Sequence, residues 1–155
     1  MKKTSFVIAL AFIIITNSFK PADEIKWIGF NDGYTLAKKN KKIMLIDVYT
    51  DWCGWCKRMD RDTYAKSEIA ALVNKDFVAI KFNPESAGTY TFEGKTYSGQ
   101  ELAGVIGDNQ INGYPTTVFI QPKTIKKKLV VGYKNVEQMQ GELSAAVSEL
   151  NAKKK

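Results

Sequence analysis

Apolar and polar positions follow patterns typical of helices and strands in alternation along this chain. Two short and almost continuous apolar segments, residues 43–50 and Phe77–Phe82, predict strands in the buried middle of a sheet. Residues 32–41 predict a helix before the first of these strands, and residues 67–74 predict a helix before the second. This alternation predicts one α/β domain without an internal repeat.

The next part of the chain predicts shorter elements. Tyr90–Phe92 and Lys95–Tyr97 flank a glycine-containing turn and predict a small inserted hairpin. Ser98 and Glu101 have the spacing of a capping box, so we expect a helix over residues 99–107.

Two strands and a helix are predicted at the end of the chain. Thr116–Gln121 and residues 129–132 predict antiparallel neighbours that are joined by residues 122–128. The closing helix has one apolar stripe at three- and four-residue intervals, which we expect to face the sheet: Val136, Met139, Leu143, Val147 and Leu150.

The amino-terminal segment has a different pattern. Lys2 and Lys3 precede an apolar run at residues 6–15, which small polar residues follow. This order is typical of a secretory signal peptide. The run has half of the about 20 apolar residues that a bilayer-spanning helix needs. We therefore expect cleavage after Ser18 rather than a lasting membrane tether, and a periplasmic or otherwise secreted protein.

Composition and charge fit one exported globular domain, which we place at residues 19–155 with its core at about 25–150. The chain has 155 residues, of which 45% are hydrophobic and 25% are charged. Removal of residues 1–18, which contain two lysines and no acidic residue, lowers the formal charge from +7 to +5. The remaining lysines are dispersed and no nucleic-acid-binding motif accompanies them, so we expect a solvated basic surface and no nucleic-acid partner.

The absence of histidine restricts the chemistry that this chain can perform. Without imidazole there is no Ser-His or Cys-His nucleophilic pair and no histidine ligand for zinc or haem. Catalysis must therefore depend on cysteine, carboxylate, lysine or tyrosine side chains.

The only two cysteines, Cys53 and Cys56, lie between a predicted buried strand and a predicted helix. Two intervening residues place both sulfur atoms on the first helical turn, within bridging distance. At the helix amino terminus, unpaired backbone amides and the positive end of the helix dipole stabilise the Cys53 thiolate. We expect Cys53 to be the nucleophile and Cys56 to be the resolving thiol.

Three other roles are known for such a cysteine pair. A zinc site needs four ligands and haem attachment needs a histidine after the second cysteine, where this chain has Lys57. A permanent structural disulfide stays possible, although so small a loop stabilises little. Redox catalysis is favoured, with the Cys53–Cys56 disulfide as the redox group and no metal or other cofactor.

The sequence around the cysteines resembles the thioredoxin superfamily from about residue 25 to residue 150. Asp47, six residues before Cys53, matches the buried aspartate that helps to deprotonate the resolving thiol in thioredoxins, and Lys81 matches the strand lysine that faces it. Tyr114 and Pro115 match the loop whose proline is cis and whose backbone docks the substrate chain. The resemblance implies a thioredoxin fold, with a central mixed β-sheet flanked by helices and the hairpin inserted before the cis-proline loop.

Asp47 and the residues beside the cysteines carry further expectations. Its place in an apolar strand predicts a raised carboxyl pKa through desolvation, which suits a group that exchanges protons near neutrality. Trp52, Gly54 and Trp55, with Tyr114 and Pro115, are expected to bind the substrate.

The segment after Cys56 is similar to one branch of the superfamily. Thioredoxin-like domains with a Trp-Cys-x-x-Cys-Lys start include the periplasmic carboxy-terminal domain of the membrane thiol:disulfide interchange protein. The similarity implies protein disulfides as substrates and a membrane-embedded thiol reductase as electron donor.

Several functional alternatives stay open. The dipeptide Gly54-Trp55 lacks the histidine that would stabilise the reduced thiolate, which favours a protein-disulfide reductase. A disulfide isomerase or oxidase and a non-catalytic binding module with a structural disulfide are the alternatives. The oligomeric state is open, with a monomer favoured, and no chemistry is assigned to residues 86–100.

Overall fold

The structure is a computed structural model, and it describes residues 24–152. The predicted signal peptide, residues 1–18, lies outside the described residues. Helices and strands follow one another in the order α1 (Phe30–Asn40), β1 (Ile43–Val48), α2 (Gly54–Met59), α3 (Ser67–Asp76), β2 (Phe77–Phe82), β3 (Tyr90–Phe92), β4 (Lys95–Tyr97), α4 (Gly99–Ile106), β5 (Thr116–Gln121), β6 (Lys126–Val131) and α5 (Val136–Asn151).

Four strands form one mixed sheet in the order β2-β1-β5-β6. β1 pairs in parallel with β2 and antiparallel with β5, and β5 pairs antiparallel with β6. All six residues of β1 are buried, which agrees with the continuous apolar pattern of a central strand. The predicted mixed sheet and the antiparallel pairing of the last two strands are confirmed.

The two faces of the sheet carry separate hydrophobic cores. Alternate residues of β1 contribute to them, with Leu45 on the face covered by α3 and α5 and Ile46 on the face covered by α1, α4 and the hairpin. In α5, Met139, Leu143 and Leu150 are buried, which confirms the predicted stripe.

The predicted hairpin is confirmed as a two-stranded ribbon of β3 and β4. Phe92 in β3 is buried and packs against Tyr34 of α1, with ring centroids 5.1 Å apart. The Tyr34 hydroxyl donates a hydrogen bond to Glu93, and the capping box of Ser98 and Glu101 begins α4 as predicted. The hairpin therefore completes the second core of the sheet.

The last strand begins earlier than the sequence predicts. β6 begins at Lys126, three residues before the predicted start at residue 129, because the chain turns back within residues 122–125. In that turn, the Ile125 amide donates to the Gln121 carbonyl over 2.8 Å. The charge of its lysines did not exclude a strand, because Lys127 pairs with Asp108, Lys128 pairs with two glutamates, and Lys126 donates to the Ala152 carbonyl. α2 continues directly into a π-helical turn, Asp60–Tyr64.

Candidate active site

The cysteines and the proline loop meet at one edge of the sheet. The chain reaches Cys53 shortly after the carboxyl end of β1, and Pro115 directly precedes the amino end of the antiparallel strand β5. The carboxyl end of β6 lies at the same edge, where the Gly132 amide donates to the Pro115 carbonyl over 2.8 Å. The sheet topology therefore brings together segments that lie 60 residues apart in the sequence.

Cys53 and Cys56 form a disulfide, and their Cα atoms are 5.3 Å apart. Cys53 caps the amino end of α2, and its sulfur accepts a hydrogen bond from the Cys56 amide over 3.1 Å. The same amide can stabilise a thiolate on Cys53 when the disulfide is reduced. In the disulfide form, both residues are buried, with 5% exposure at Cys53 and 3% at Cys56, so the helix position distinguishes them more than their exposure does.

Asp47 is a buried carboxylate in the central strand. Its Oδ2 atom lies 2.5 Å from the Lys81 ammonium, whereas the buried Oδ1 atom has no hydrogen-bond partner among residues 24–152. Burial raises the pKa of Asp47 to about 6, and the nearby charge of Lys81 opposes the rise. The predicted direction of this pKa is confirmed, and Asp47 and Lys81 face each other in the parallel register of β1 and β2.

Lys81 also contacts a second carboxylate, Asp60, which is 45% exposed in its side chain. Its ammonium group lies 4.9 Å from the ring centre of Trp27, 5.0 Å from that of Tyr49 and 5.9 Å from that of Tyr64. Burial lowers the pKa of Lys81, but the two carboxylates outweigh this effect and hold the pKa above its ordinary value.

Sequence reasoning did not assign a role to Asp60. The available signal was its spacing, because Asp60 follows Cys56 by four residues in a predicted helix and such residues share one helix face. The structure places it at the solvent side of the buried ion pair, so that Lys81 bridges an internal and an exposed carboxylate.

Two exposed indoles, Trp52 and Trp55, adjoin the cysteines in the sequence, and each contacts a half-buried tyrosine. We call Trp52, Tyr114, Trp55 and Tyr133 the aromatic rim. Trp52 is 67% exposed, and its indole nitrogen donates to Glu85 over 3.0 Å. The Trp52 and Tyr114 rings meet edge to face with centroids 5.9 Å apart. A carboxylate and a second ring therefore fix the orientation of an exposed indole.

The second pair of the aromatic rim is Trp55 and Tyr133: Trp55 is 55% exposed, and its ring centroid lies 5.6 Å from that of Tyr133. The guanidinium of Arg58 lies 5.1 Å from the Trp55 ring centre and 5.3 Å from the Tyr133 ring centre. Sequence reasoning did not identify Glu85, Arg58 or Tyr133 at the site, because these contacts join residues that the fold alone brings together. At Gly54 a side chain would meet nothing within 4 Å.

The loop before β5 has a cis peptide bond between Tyr114 and Pro115. The Thr116 hydroxyl donates to the Gly113 carbonyl over 2.8 Å. This bond joins the loop to the first residue of β5. Together with the Gly132 contact, this bond holds the loop at the end of the sheet at which the disulfide lies.

A mixed four-stranded sheet that presents a Cys-x-x-Cys disulfide at a helix start, beside a cis-proline loop, places this protein in the thioredoxin superfamily. A thioredoxin from Thermus thermophilus has the same fold, with a TM-score of 0.67, 19% identity, and 84% of this chain and 92% of that chain covered. A structure described as DsbH oxidoreductase covers 94% of this chain and 95% of its own, with a TM-score of 0.62 and 15% identity.

The sequence model of the family described as "Thioredox_DsbH: Protein of unknown function, DUF255" matches residues 16–150, and the chain belongs to that family. The thiol:disulfide interchange protein DsbD of Pectobacterium atrosepticum is 31% identical over 110 residues, which are 70% of this chain and 17% of that protein. The chain spans 13% to 17% of the length of the first curated relatives that it matches. The predicted resemblance to the superfamily and to DsbD-type domains is confirmed.

The described residues contain no helix that has both the length and the apolar composition needed to cross a bilayer.

Proposed function

We propose that this protein is an extracytoplasmic protein-disulfide reductase that works by dithiol-disulfide exchange. The observation that carries the proposal is the Cys53–Cys56 disulfide at the start of α2, where the Cys56 amide donates to the Cys53 sulfur. A sulfur in this position is a stabilised leaving group in the disulfide form and a stabilised thiolate nucleophile in the reduced form.

In the first step, the Cys53 thiolate attacks one sulfur of a substrate disulfide. A bond forms between Cys53 and that sulfur, the substrate disulfide breaks, and its other sulfur leaves as a thiolate. In the second step, the Cys56 thiolate attacks the Cys53 sulfur, which forms the Cys53–Cys56 disulfide and releases the second substrate thiolate. Two electrons pass from the dithiol to the substrate in one cycle.

Asp47 is proposed to accept the proton of the Cys56 thiol before the second step. Its pKa of about 6 leaves it mostly ionised at neutral pH and still able to exchange protons there. Lys81 keeps an opposite charge next to this carboxylate, and it is proposed to hold Asp47 in place rather than to touch the substrate.

The aromatic rim and the cis-proline loop are proposed to bind the substrate chain around its disulfide, and Gly54 to leave room for it. Trp55→Ala should raise KM for a protein disulfide several-fold and leave the pH dependence of the reaction unchanged, because the indole contacts the substrate surface and not the sulfurs. The control is Thr91→Ala, at an exposed residue of the hairpin, which should change neither KM nor the pH dependence. The third tryptophan, Trp27, is not a suitable control because it is partly buried beside Lys81. An unchanged KM in Trp55→Ala would contradict this part of the proposal.

Export and electron supply complete the proposed function. Residues 1–18 would direct export, and a membrane-embedded thiol reductase would return two electrons to the Cys53–Cys56 disulfide after each cycle. Mass spectrometry of the protein recovered from outside the cytoplasm should give a chain that begins near Phe19. Recovery of an uncut chain from the membrane fraction would instead support the tethered form.

Reduction of insulin is the direct test of the proposed activity. Reduced protein should cleave the insulin disulfides catalytically in the presence of a thiol donor, Cys53→Ser should abolish the reaction, and Cys56→Ser should accumulate a mixed disulfide through Cys53. Normal turnover in Cys53→Ser would overturn the mechanism.

The reduction potential of the cysteine pair separates the proposal from its alternatives. A reductase should have a potential near that of thioredoxin, about −270 mV. A value above about −150 mV would indicate an oxidase or isomerase instead. A value well below about −300 mV, with partner binding unchanged after both cysteines are replaced by serine, would indicate a structural disulfide.

A further inference from the structure

Lysines are concentrated at the end of the sheet opposite the disulfide. β1, β2 and β6 begin at this end, β5 ends there, and α1 and α3 bring their carboxyl ends to it. We call the following seven lysines the basic end: Lys38, Lys39, Lys41, Lys42, Lys75, Lys123 and Lys126. The segments that contain them, residues 38–42, 74–77 and 121–126, include one acidic residue, Asp76.

No lysine of the basic end has a carboxylate within ion-pair distance in the described part of the chain. Elsewhere in residues 24–152, Lys81, Lys127, Lys128 and both arginines pair with carboxylates, whereas unpaired lysines such as Lys66 and Lys95 lie far apart in the sequence. Lys42 and Lys126 donate to backbone carbonyls, which carry no net charge. Lys38 donates to the Tyr34 hydroxyl over 3.3 Å, and that hydroxyl bonds to the Glu93 carboxylate. The other six lysines have no such link to a carboxylate in the described residues.

Helix dipoles account for only part of this charge. The carboxyl ends of α1, α3 and α5 lie at the basic end, and each is equivalent to about −0.5 of an elementary charge. Seven lysines, one aspartate and three helix ends leave a surplus of between about four and five positive charges, and Glu24 and Lys26, which both contact Asn74, cancel each other. Stabilisation of the helices alone does not require this excess.

The shape of the basic end permits contact with a broad anionic surface. Lys41, Lys123 and Lys126 line an open recess of about 540 Å³, and the other lysines lie at or near the carboxyl ends of α1 and α3, at the same end of the sheet. The chain has only two arginines, Arg58 and Arg61, and both lie in the helical segment after the disulfide. Lysine acts as a hydrated point charge without the fixed geometry of a guanidinium, which suits diffuse charge better than a shaped ligand.

We propose that the basic end binds the surface of a bilayer that contains anionic lipids and holds the disulfide away from that surface. Both ends of the described chain lie here, since the Glu24 carbonyl accepts from Asn74 over 3.2 Å and the Ala152 carbonyl accepts from Lys126 over 2.7 Å. Three further lysines, residues 153–155, follow Ala152 in the sequence. A cluster of lysines without arginine fits the diffuse negative charge of a lipid surface better than the spaced carboxylates of an acidic protein.

The orientation leaves the aromatic rim accessible. The six residues of β1 separate the basic end from the site, which corresponds to about 20 Å at 3.3 Å per residue. A protein bound in this way would present Cys53 toward the aqueous compartment. The binding does not depend on redox chemistry, so its failure and the failure of the proposed reductase activity are separate results.

Vesicle sedimentation tests the proposal. The vesicles contain phosphatidylcholine alone or a mixture with phosphatidylglycerol, and every variant begins at Phe19, the amino terminus that cleavage after Ser18 would leave. The pair Lys41→Gln with Lys123→Gln removes two charges from the basic end, whereas Lys66→Gln with Lys95→Gln removes two exposed charges from other surfaces. Thermal unfolding of both pairs verifies that each is folded.

The wild-type chain should bind the anionic vesicles more tightly, and added salt should weaken the binding. Each lysine of the basic end should contribute about fivefold to the partition coefficient, so Lys41→Gln with Lys123→Gln should lower it by about 25-fold. Lys66→Gln with Lys95→Gln should lower it by less than about threefold. Replacement of both cysteines by serine should have no effect on binding.

Four results would overturn the proposal. Equal losses in the two pairs would mean that net charge alone acts, and equal binding to both kinds of vesicle would exclude an anionic lipid surface. Binding to polyglutamate without binding to anionic vesicles would replace the lipid by an acidic protein. Brominated lipids quench tryptophans that lie in the bilayer, and they should leave Trp52 and Trp55 unquenched. If quenching occurs in the wild type and is lost in the double variant Trp52→Phe with Trp55→Phe, the aromatic rim faces the bilayer instead.

Discussion

At the scale of single residues, the site depends on a charged group that the fold places in an unfavourable environment. Ionised Asp47 is almost completely buried, and only one of its oxygens has a partner in the described part of the chain. Lys81 offsets a part of the desolvation free energy but not all of it, since the Asp47 pKa stays raised. Asp47 should therefore make the folded state less stable at neutral pH than an uncharged side chain would.

The stability of the disulfide form should accordingly fall between pH 4 and pH 6. The folded state binds a proton at Asp47 with a pKa of about 6, against an ordinary value of 3.8, so it holds more protons than the unfolded chain in this range. The free energy of unfolding falls by about 3 kcal/mol in total. The fall is complete once the pH is above the folded-state pKa of Asp47. Asp47→Asn should remove this loss and unfold at higher urea concentration than the wild type at pH 7.5. Urea titrations at pH 4 and pH 7.5 measure both effects, and the same pH dependence in the variant would contradict the assignment.

A second prediction concerns the exposed carboxylate. The negative charge of Asp60 raises the pKa of Asp47 and competes with it for Lys81. Asp60→Asn should therefore lower the pKa of Asp47, as measured by NMR titration of the carboxyl carbon. Asp62→Asn is a matched control, because Asp62 pairs with Arg58 and Arg61 and not with Lys81. If both variants left the Asp47 pKa unchanged, Asp60 would have no part in the acid-base group.

At the scale of elements, the hairpin is a structural part of the domain and not an appendage. Phe92 is 2% exposed, and its ring lies 6.1 Å from that of Phe30 in addition to its contact with Tyr34. Residues 86–100 therefore cover apolar surface of α1 that a sheet and helices alone would leave open. This packing gives the insertion a physical role that its sequence did not indicate.

Phe92→Ala should lower the free energy of unfolding by about 3 kcal/mol, because it removes a buried ring and leaves a cavity against α1. Thr91 is exposed in the same strand, and Thr91→Ala should change stability by less than about 0.5 kcal/mol. Urea unfolding of both variants measures the difference. Equal stability of the two would mean that the hairpin is dispensable for the fold.

Elements and their order could be predicted from the sequence because each has a local cause. Each of these signals is contained in the element that it predicts: the apolar run in β1, the capping box at the start of α4, and the apolar stripe in α5. The start of β6 could not be predicted, since hydrogen bonding to β5 decides it and its lysines resemble a loop. The contacts of Asp60, Arg58 and Glu85 likewise depend on distant segments, so their place at the site required the tertiary structure.

At the scale of the whole molecule, redox state and folding stability are linked. A folded protein that lowers the reduction potential of its cysteine pair relative to the unfolded chain must stabilise the disulfide form by the equivalent free energy. Conversely, a strong oxidant is one whose folded structure stabilises the reduced form. The direction of electron flow proposed for Cys53 and Cys56 therefore predicts which form resists unfolding.

The disulfide form should unfold at a higher urea concentration than the dithiol form at pH 7, because a reductase favours its own oxidised state. The comparison uses the wild-type chain with and without dithiothreitol, and each 30 mV of difference in potential corresponds to about 1.4 kcal/mol. Replacement of both cysteines by serine controls for direct effects of dithiothreitol, which should leave that variant unchanged. Greater stability of the dithiol form would reverse the direction of electron flow and make the protein an oxidant of its substrates.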